Sequence, residues 1–135
     1  MKILSIDHIG IAVKNINQSL DFYKRGLGLE LDGIEEIPDR NLRVGFINIG
    51  STKIELIEST SDDSTIAKYI AKKGEGIHHI CLLVDNLTEA LKHFKSEGFE
   101  LIDNQPRVGA EGSKIAFIHP KAAGGVLIEL KQLFK

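Results

Sequence analysis

The sequence predicts an α+β fold made of two tandem βαβββ modules, because one pattern of strands and helices occurs twice. The segment Asp7–Ile16 matches His78–Leu87 at an offset of 71 residues (78 − 7). The segment Gly45–Ile47 matches Ala116–Ile118 at the same offset. In each copy, apolar residues follow a strand period, then a helical period, and then further strand-like runs.

Ionisable residues recur at matched places in the two copies. His8 and His79 lie near the start of each module, and Glu55 and Glu129 lie on each last strand. The glutamates are 74 residues apart (129 − 55), so the last hairpin of the second copy is three residues longer. Ionisable groups that are buried without partners are costly. A repeated His and Glu on apolar strands therefore indicates a function and not only packing.

The first module, residues 1 to about 60, begins with a strand and a helix. We expect Asn15 or Asn17 to cap this helix, because asparagine side chains accept hydrogen bonds from the first free N–H groups. Glycines at 26 and 28 end it. The predicted strands are residues 4–13, 29–34, 42–49 and 52–58, and the predicted helix ends at about Arg25.

A polar turn and a short helix, about residues 61–75, form a linker between the modules and not a domain boundary. The second module, about 76–135, repeats the order of the first, so the whole chain, 1–135, is expected to be a single domain. The loop predicted in it is polar and contains glycine, as loops that lie over a site often do. The predicted strands are residues 77–84, 99–102, 114–118 and 125–132, with a helix over 86–97 and the loop over 103–113.

Composition excludes several classes of protein. The chain has 135 residues, of which 42% are hydrophobic and 27% charged, and its formal net charge is −2, which is ordinary for a globular domain. The sequence has no basic run that would contact nucleic acid or a membrane surface, and no stretch approaches the roughly 20 apolar residues of a spanning helix. The single cysteine, Cys81, excludes an internal disulfide and favours a cytoplasmic location.

Strand alternation predicts which side chains share a face. His8 should share its face with Gly10 and Ala12, small residues that leave room beside a metal ion. In the second copy, Cys81 should share the face of His79. The intervening apolar residues would pack under the helices. One face of each sheet is therefore expected to carry the core and the other to line a concavity.

Two imidazoles and two carboxylates, from His8, Glu55, His79 and Glu129, form a nitrogen and oxygen donor set for one divalent metal ion. Such a set suits Co²⁺, Zn²⁺, Ni²⁺, Mn²⁺ or Fe²⁺, and a closed structural zinc site is not expected without a thiolate. The alternative is that the histidines are structural strand-edge residues and the glutamates face solvent. The matched repeat favours the metal site.

Other ionisable residues fit structural roles better. His78 competes with His79 for the ligand role. The repeat alignment favours His79, and His78 would then point to the other face of the strand. The residues interpreted as structural are Glu30 and Glu58 at strand ends, His93 on the exposed side of a helix, His119 in a turn, and Cys81 as a small apolar wall residue.

The tandem modules with matched His and Glu resemble the vicinal oxygen chelate superfamily, which includes glyoxalase I. Several segments are similar specifically to methylmalonyl-CoA epimerases, and this similarity spans nearly the whole chain. The resemblance implies a curved, partly open mixed β-sheet barrel around a metal site, with the helices outside. The similar segments are Asp7–Val13, Gly50–Leu56, Gly76–Cys81, Phe117–Lys121 and Gly124–Leu130.

By that resemblance, His8, Glu55, His79 and Glu129 match the metal ligands. The implied reaction removes a proton alpha to a thioester carbonyl, and the metal stabilises the enolate. In the family, the acid–base groups are the carboxylate that matches Glu129 and a glutamate before the third strand, where this chain has Asp39. An aspartate reaches about an ångström less, and such misplacements can cost roughly a hundredfold in rate. A structural turn aspartate is the alternative interpretation.

The resemblance implies an epimerase of a short acyl-CoA, with methylmalonyl-CoA the leading substrate and Arg107, Lys114 or Lys121 available for the CoA phosphates. A glyoxalase I-type lyase (lactoylglutathione lyase), which acts on a thiol–ketoaldehyde adduct, would use the same four ligands and stays open. A metal-free small-molecule binding protein and an iron dioxygenase of this fold fit less well, because the His and Glu quartet is intact. A homodimer is expected, since members of the superfamily often pair.

Overall fold

A computed structural model describes residues 1–133 and confirms the α+β class and the tandem modules. The chain divides into two compact units, a first unit of His8–His78 and a second unit of Met1–Asp7 with the chain from His79 onward. No helix in this described part is long and apolar enough to cross a membrane. The elements are β1 (Ile3–Val13), α1 (Ile16–Leu20), β2 (Gly33–Ile37), β3 (Leu42–Ile49), β4 (Thr52–Ser59), α2 (Thr65–Lys73), β5 (Gly76–Val84), α3 (Leu87–Ser96), β6 (Arg107–Val108), β7 (Lys114–Ile118) and β8 (Ile128–Gln132).

The first unit contains a mixed sheet in the order β2-β3-β4-β1. Its first three strands pair antiparallel, and β4 pairs with β1 in parallel. Both faces of this sheet bury apolar side chains, so the prediction that only one face carries the core is wrong for the first unit, where α2 covers the second face. The cluster that packs with α1 consists of Val13, Ile16, Ile47 and Leu56, and the cluster that packs with α2 consists of Ala12, Val44, Ile57 and Ile66.

The second unit repeats this arrangement with the order β5-β8-β7-β6. The strand β5 pairs with β8 in parallel, while β8, β7 and β6 pair antiparallel. One face packs under α3, and the other face carries His79, Cys81 and Glu129. The cluster under α3 consists of Val84, Leu87, Ala90, Leu91, Ala116, Ile118 and Leu130.

The internal repeat extends to the register of the strands. In the first unit Gly10 lies opposite Glu55, and in the second unit Cys81 lies opposite Glu129. Both pairs keep the offsets of the sequence repeat. The three extra residues of the second copy fall in the hairpin before β8, where Gly124 and its neighbour at 125 have positive φ angles of 65° and 96°. They lengthen a turn and leave the strand register unchanged.

The caps and the linker follow the sequence closely. Asn15, and not Asn17, caps α1 by accepting the backbone N–H of Gln18 at 3.0 Å. The α-helix ends at Leu20, and the helical path continues as a π-helix over Asp21–Gly26. The helix predicted after the first module is present as α2, and it packs within the first unit.

The predicted second strand is wrong in position. The sequence predicts it at residues 29–34, but β2 runs over Gly33–Ile37. Leu29 and Leu31 alternate like strand residues, yet they pack into the α1 cluster from a loop. Their alternation therefore reports burial of loop side chains and not a hydrogen-bonded ladder.

The strands predicted around the second-module loop also need correction. Leu101 makes only an isolated bridge to Ile118, so residues 99–102 are not a strand. The predicted loop 103–113 contains the two-residue strand β6 and a short 3₁₀ helix over Ala110–Gly112. The predicted strand 125–132 begins later, at Ile128, because the preceding residues belong to the lengthened hairpin.

Polar contacts attach the segment Met1–Asp7 to the second unit. The Lys2 backbone N–H donates to Asp85 Oδ1 at 2.7 Å, and this hydrogen bond holds the pKa of Asp85 below its ordinary value. Lys131 Nζ lies 3.2 Å from Asp7 Oδ2, and the lysine side chain is only 4% exposed. Lysine is rarely buried to this extent unless it is paired. The matched residue of the first unit, Ile57, is apolar, so this ion pair distinguishes the second copy.

Lys131→Met is expected to lower the free energy of unfolding by roughly 3 kcal/mol, because it removes the buried cation that pairs with Asp7. The double variant Asp7→Ala/Lys131→Met should cost less than the sum of Asp7→Ala and Lys131→Met, since it removes both charges of the pair. Urea denaturation of the four proteins measures this coupling. Lys95→Met, at an exposed lysine of the same unit, is the control. Additive single effects would contradict a coupled ion pair.

Candidate metal centre

The first histidine–glutamate pair lies within the first unit. His8 Nδ1 is 3.1 Å from Glu55 Oε2, and the two side chains are 4% and 6% exposed. The parallel pairing of β1 with β4 causes this contact. His8 lies two residues before Gly10, which is opposite Glu55.

The second pair occupies the matched place in the second unit. His79 Nε2 is 2.9 Å from Glu129 Oε1, and these side chains are also nearly fully buried. The ring of Phe117 packs edge-to-face against the His79 imidazole, with 5.9 Å between centroids. Phe117 also lies opposite Glu129 on the neighbouring strand, so one aromatic side chain borders both members of the pair.

Both pairs have the chemistry and the spacing of metal ligands. Two donor atoms that bind one ion at about 2.1 Å, at right angles to each other, lie about 3.0 Å apart. The observed separations of 3.1 and 2.9 Å are close to that value. A buried carboxylate beside an imidazole also needs a proton or a cation to offset its lost hydration. The residues of each pair therefore fit a divalent ion with nitrogen and oxygen ligands.

The face of the first sheet that carries Glu55 also carries a second carboxylate. Phe46 is opposite Glu55, and Val44, two residues away, shares its face. On the next strand Glu35 is opposite Val44, and its side chain is half-buried. Sequence reasoning missed Glu35, because the predicted second strand ended one residue before it. A correct strand boundary with simple alternation would have found it.

Asp39 lies away from the position where Phe46 and Glu55 are opposite each other. It is exposed in a one-turn 3₁₀ helix, Pro38–Arg40, between β2 and β3. From Phe46, which is opposite Glu55, the ladder runs four residues to Leu42 before that turn, roughly 13 Å along the strand. The fold does not bring Asp39 next to Glu55, and its proposed role rests on the family resemblance.

The corresponding face of the second unit carries more positive charge. Lys131 follows Glu129 by two residues on β8 and therefore shares its face. The guanidinium of Arg107 lies over the Phe117 ring, 5.2 Å from its centroid. Cys81 is fully buried opposite Glu129 and forms no disulfide, as a wall residue should.

The remaining histidines lie where the sequence predicts. His78 packs edge-on against Tyr69, with centroids 4.9 Å apart, while its neighbour His79 forms the glutamate pair. His93 is exposed on α3. His119 caps a short 3₁₀ helix, Pro120–Ala123, and its Nδ1 accepts the backbone N–H of Lys121 at 3.1 Å.

Glu58 does more than end a strand. Its Oε1 accepts the backbone N–H of Ile16 at 2.8 Å, and its Oε2 lies 3.1 Å from Arg43 Nη1. The carboxylate thus satisfies a free N–H at the start of α1 and fixes that helix to β4.

Comparison with known proteins gives a consistent family. The model of the Glyoxalase/Bleomycin resistance protein/Dioxygenase superfamily matches residues 7–117. YqjC, an uncharacterised protein of Bacillus subtilis, is 44% identical over 93% of this chain and 89% of its own. Human mitochondrial methylmalonyl-CoA epimerase is 38% identical over 94% of this chain and 73% of its own.

A solved structure agrees with these sequence relatives. Streptomyces coelicolor methylmalonyl-CoA epimerase, in complex with 2-nitronate-propionyl-CoA, has a TM-score of 0.91 at 33% identity, covering 97% of this chain and 95% of that one. The family match begins one residue before His8 and includes Glu55 and His79. The chain belongs to the glyoxalase/bleomycin resistance protein/dioxygenase superfamily, and its homologues include methylmalonyl-CoA epimerases.

Proposed function

We propose that this protein is a metal-dependent epimerase of a short 2-carboxyacyl-CoA thioester, with methylmalonyl-CoA as its substrate. The observation that carries the proposal is the pair of matched, buried His–Glu contacts, one in each unit. Support for the substrate comes from human and Streptomyces methylmalonyl-CoA epimerases, which are 38% and 33% identical to this chain.

His8, Glu55, His79 and Glu129 would together hold one divalent ion, which their donor set allows to be Co²⁺, Zn²⁺, Ni²⁺, Mn²⁺ or Fe²⁺. When bound, such an ion supplies Lewis acidity, which stabilises negative charge on the thioester oxygen as the alpha proton leaves. Burial of all four side chains supports this assignment, because a site with little water strengthens every electrostatic interaction within it.

Epimerisation needs two acid–base groups, since the alpha proton leaves one face of the carbon and returns to the other. Glu129 is proposed as one of them. Two carboxylates of the first unit compete for the second role, Asp39 from the family resemblance and Glu35 from the strand register. Glu35 shares the face of Glu55 two strands away, whereas Asp39 lies in an exposed turn, so strand alternation supports Glu35 as the alternative to Asp39.

A glyoxalase I-type isomerase would use the same His–Glu pairs and the same kind of proton transfer. The ligands therefore do not distinguish the two reactions. The similarity to epimerases over nearly the whole chain favours the acyl-CoA substrate.

The Co²⁺-loaded protein is expected to exchange the alpha proton of methylmalonyl-CoA for deuterium in D₂O and to interconvert its two epimers. Chelator-treated protein should do neither, because the enolate would lose its stabilising cation. Proton NMR follows both processes. Bound metal without exchange, together with turnover of a thiol–ketoaldehyde adduct, would replace the epimerase by a glyoxalase-type isomerase.

His8→Ala and Glu129→Ala should each lose tight metal binding and proton exchange, because each removes one ligand. His93→Ala, at an exposed histidine, is the matched control and should retain both. Elemental analysis of the purified variants measures the metal, and circular dichroism checks their folding. Metal retained at wild-type affinity in the double variant His8→Ala/His79→Ala would refute the ligand assignment.

Glu35→Gln is expected to slow proton exchange by roughly a hundredfold or more with unchanged metal content, because an amide cannot accept the proton. Glu36→Gln is the matched control, since this neighbour on β2 points to the other face and pairs with Arg43. Asp39→Asn tests the competing residue. Exchange lost in Asp39→Asn but retained in Glu35→Gln would return the role to Asp39.

A further inference from the structure

Arg107 lies on the same face of its sheet as the second His–Glu pair. On β6 it is opposite Ile115, and Ile115 shares its face with Phe117, two residues along β7. Phe117 is in turn opposite Glu129. Side chains of directly opposed strand residues point to one face, so this register places Arg107 on the side of Glu129 and not under α3.

Two contacts fix the position of the guanidinium. It lies 5.2 Å from the centroid of the Phe117 ring, a distance at which the ring attracts a cation. Its Nη2 lies 3.4 Å from Asp103 Oδ2. Asp103 and Phe117 thus fix the position of the arginine side chain. The Asp103 oxygen that contacts Arg107 also accepts the backbone N–H of Phe117 at 2.8 Å.

Most of the hydrogen-bonding capacity of Arg107 is unused within residues 1–133. The guanidinium has five N–H donors, and the long contact with Asp103 is its one ion pair there. Its side chain is 48% exposed. A fixed, half-exposed guanidinium with donors to spare is suited to a carboxylate or a phosphate, which can accept two parallel hydrogen bonds.

The matched position in the first unit carries the opposite charge. Glu35 is opposite Val44 as Arg107 is opposite Ile115, and Val44 and Ile115 keep the 71-residue offset of the repeat (115 − 44). The matched position of the two copies therefore carries a carboxylate in the first unit and a guanidinium in the second.

We propose that Arg107 binds an anionic oxygen group of the thioester substrate, either the free carboxylate of the acyl group or a phosphate of CoA. This inference rests on the proposed function. The ring under Arg107 also touches the His79 imidazole, which favours the carboxylate, because the CoA phosphates lie at the far end of the pantetheine arm.

The test measures dissociation constants by calorimetry on the Co²⁺-loaded protein. Methylmalonyl-CoA carries both anionic groups, methylmalonyl-pantetheine lacks the phosphates, and propionyl-CoA lacks the carboxylate. Arg107→Met keeps the aliphatic stem over Phe117 and removes the charge. The chain offers a close control in Arg25→Met, an arginine that also pairs with an aspartate four residues earlier but is 81% exposed.

Arg107→Met is expected to weaken methylmalonyl-CoA binding by about ten- to a hundredfold, as loss of a charged hydrogen-bonding group does. Arg25→Met should leave it unchanged. Weaker binding of methylmalonyl-pantetheine but not of propionyl-CoA assigns the carboxylate, and the reverse assigns a phosphate. Arg107→Lys should recover part of the loss, because it restores the charge without the planar fork.

Wild-type binding of all three thioesters by the Arg107→Met variant would overturn the inference and leave the epimerase intact. Failure of the wild-type protein to bind methylmalonyl-CoA or to exchange its alpha proton would instead refute the proposed function. Thermal unfolding of both arginine variants separates a binding defect from a folding defect.

Discussion

The parallel pairing of the first and last strands of each module is the constraint on which the candidate site depends. It sets Gly10 opposite Glu55 and Cys81 opposite Glu129, so a histidine two residues earlier reaches the glutamate of the neighbouring strand. A slip of one residue would turn each glutamate to the helix-packed face, among apolar side chains. The antiparallel strands add their side chains to faces that this parallel pairing has already defined.

Burial of the histidine–glutamate pairs links the site to stability. Each pair holds an imidazole and a carboxylate almost out of contact with water, at 8% exposure or less. Hydration lost on folding is only partly offset by the contact inside each pair. An ion that binds the folded chain but not the unfolded chain would add its binding free energy to the free energy of unfolding. In the second unit the apolar cluster under α3 lies on the opposite face from the pair, whereas in the first unit the cluster packed with α2 shares the face of His8 and Glu55.

Much of this architecture could be predicted from the sequence, and the main exceptions are the edge strands β2 and β6. Periodicity gives β3 and β7 with their observed bounds, and the repeat identifies the His–Glu pairs because it preserves strand register. Leu29 and Leu31 imitate a strand from a loop, and β6 is too short to show a period. Glu35 and Arg107 lie on these two misplaced edge strands, so no face could be assigned to either. The bound metal, the homodimer and the cytoplasmic location stay predictions.

The sign change between Glu35 and Arg107 has a consequence for orientation. Duplication gives both copies equivalent donors, and equivalent donors would accept the two ends of a chelating molecule without preference. An acid in one copy and a guanidinium in the other would remove that ambiguity, since an anionic group is attracted to the guanidinium and repelled by the acid. The difference between Glu35 and Arg107 thus makes the two copies electrostatically unlike at one matched position. The epimerase proposed here would act on both configurations of one carbon, and it would still have to distinguish the two ends of its substrate.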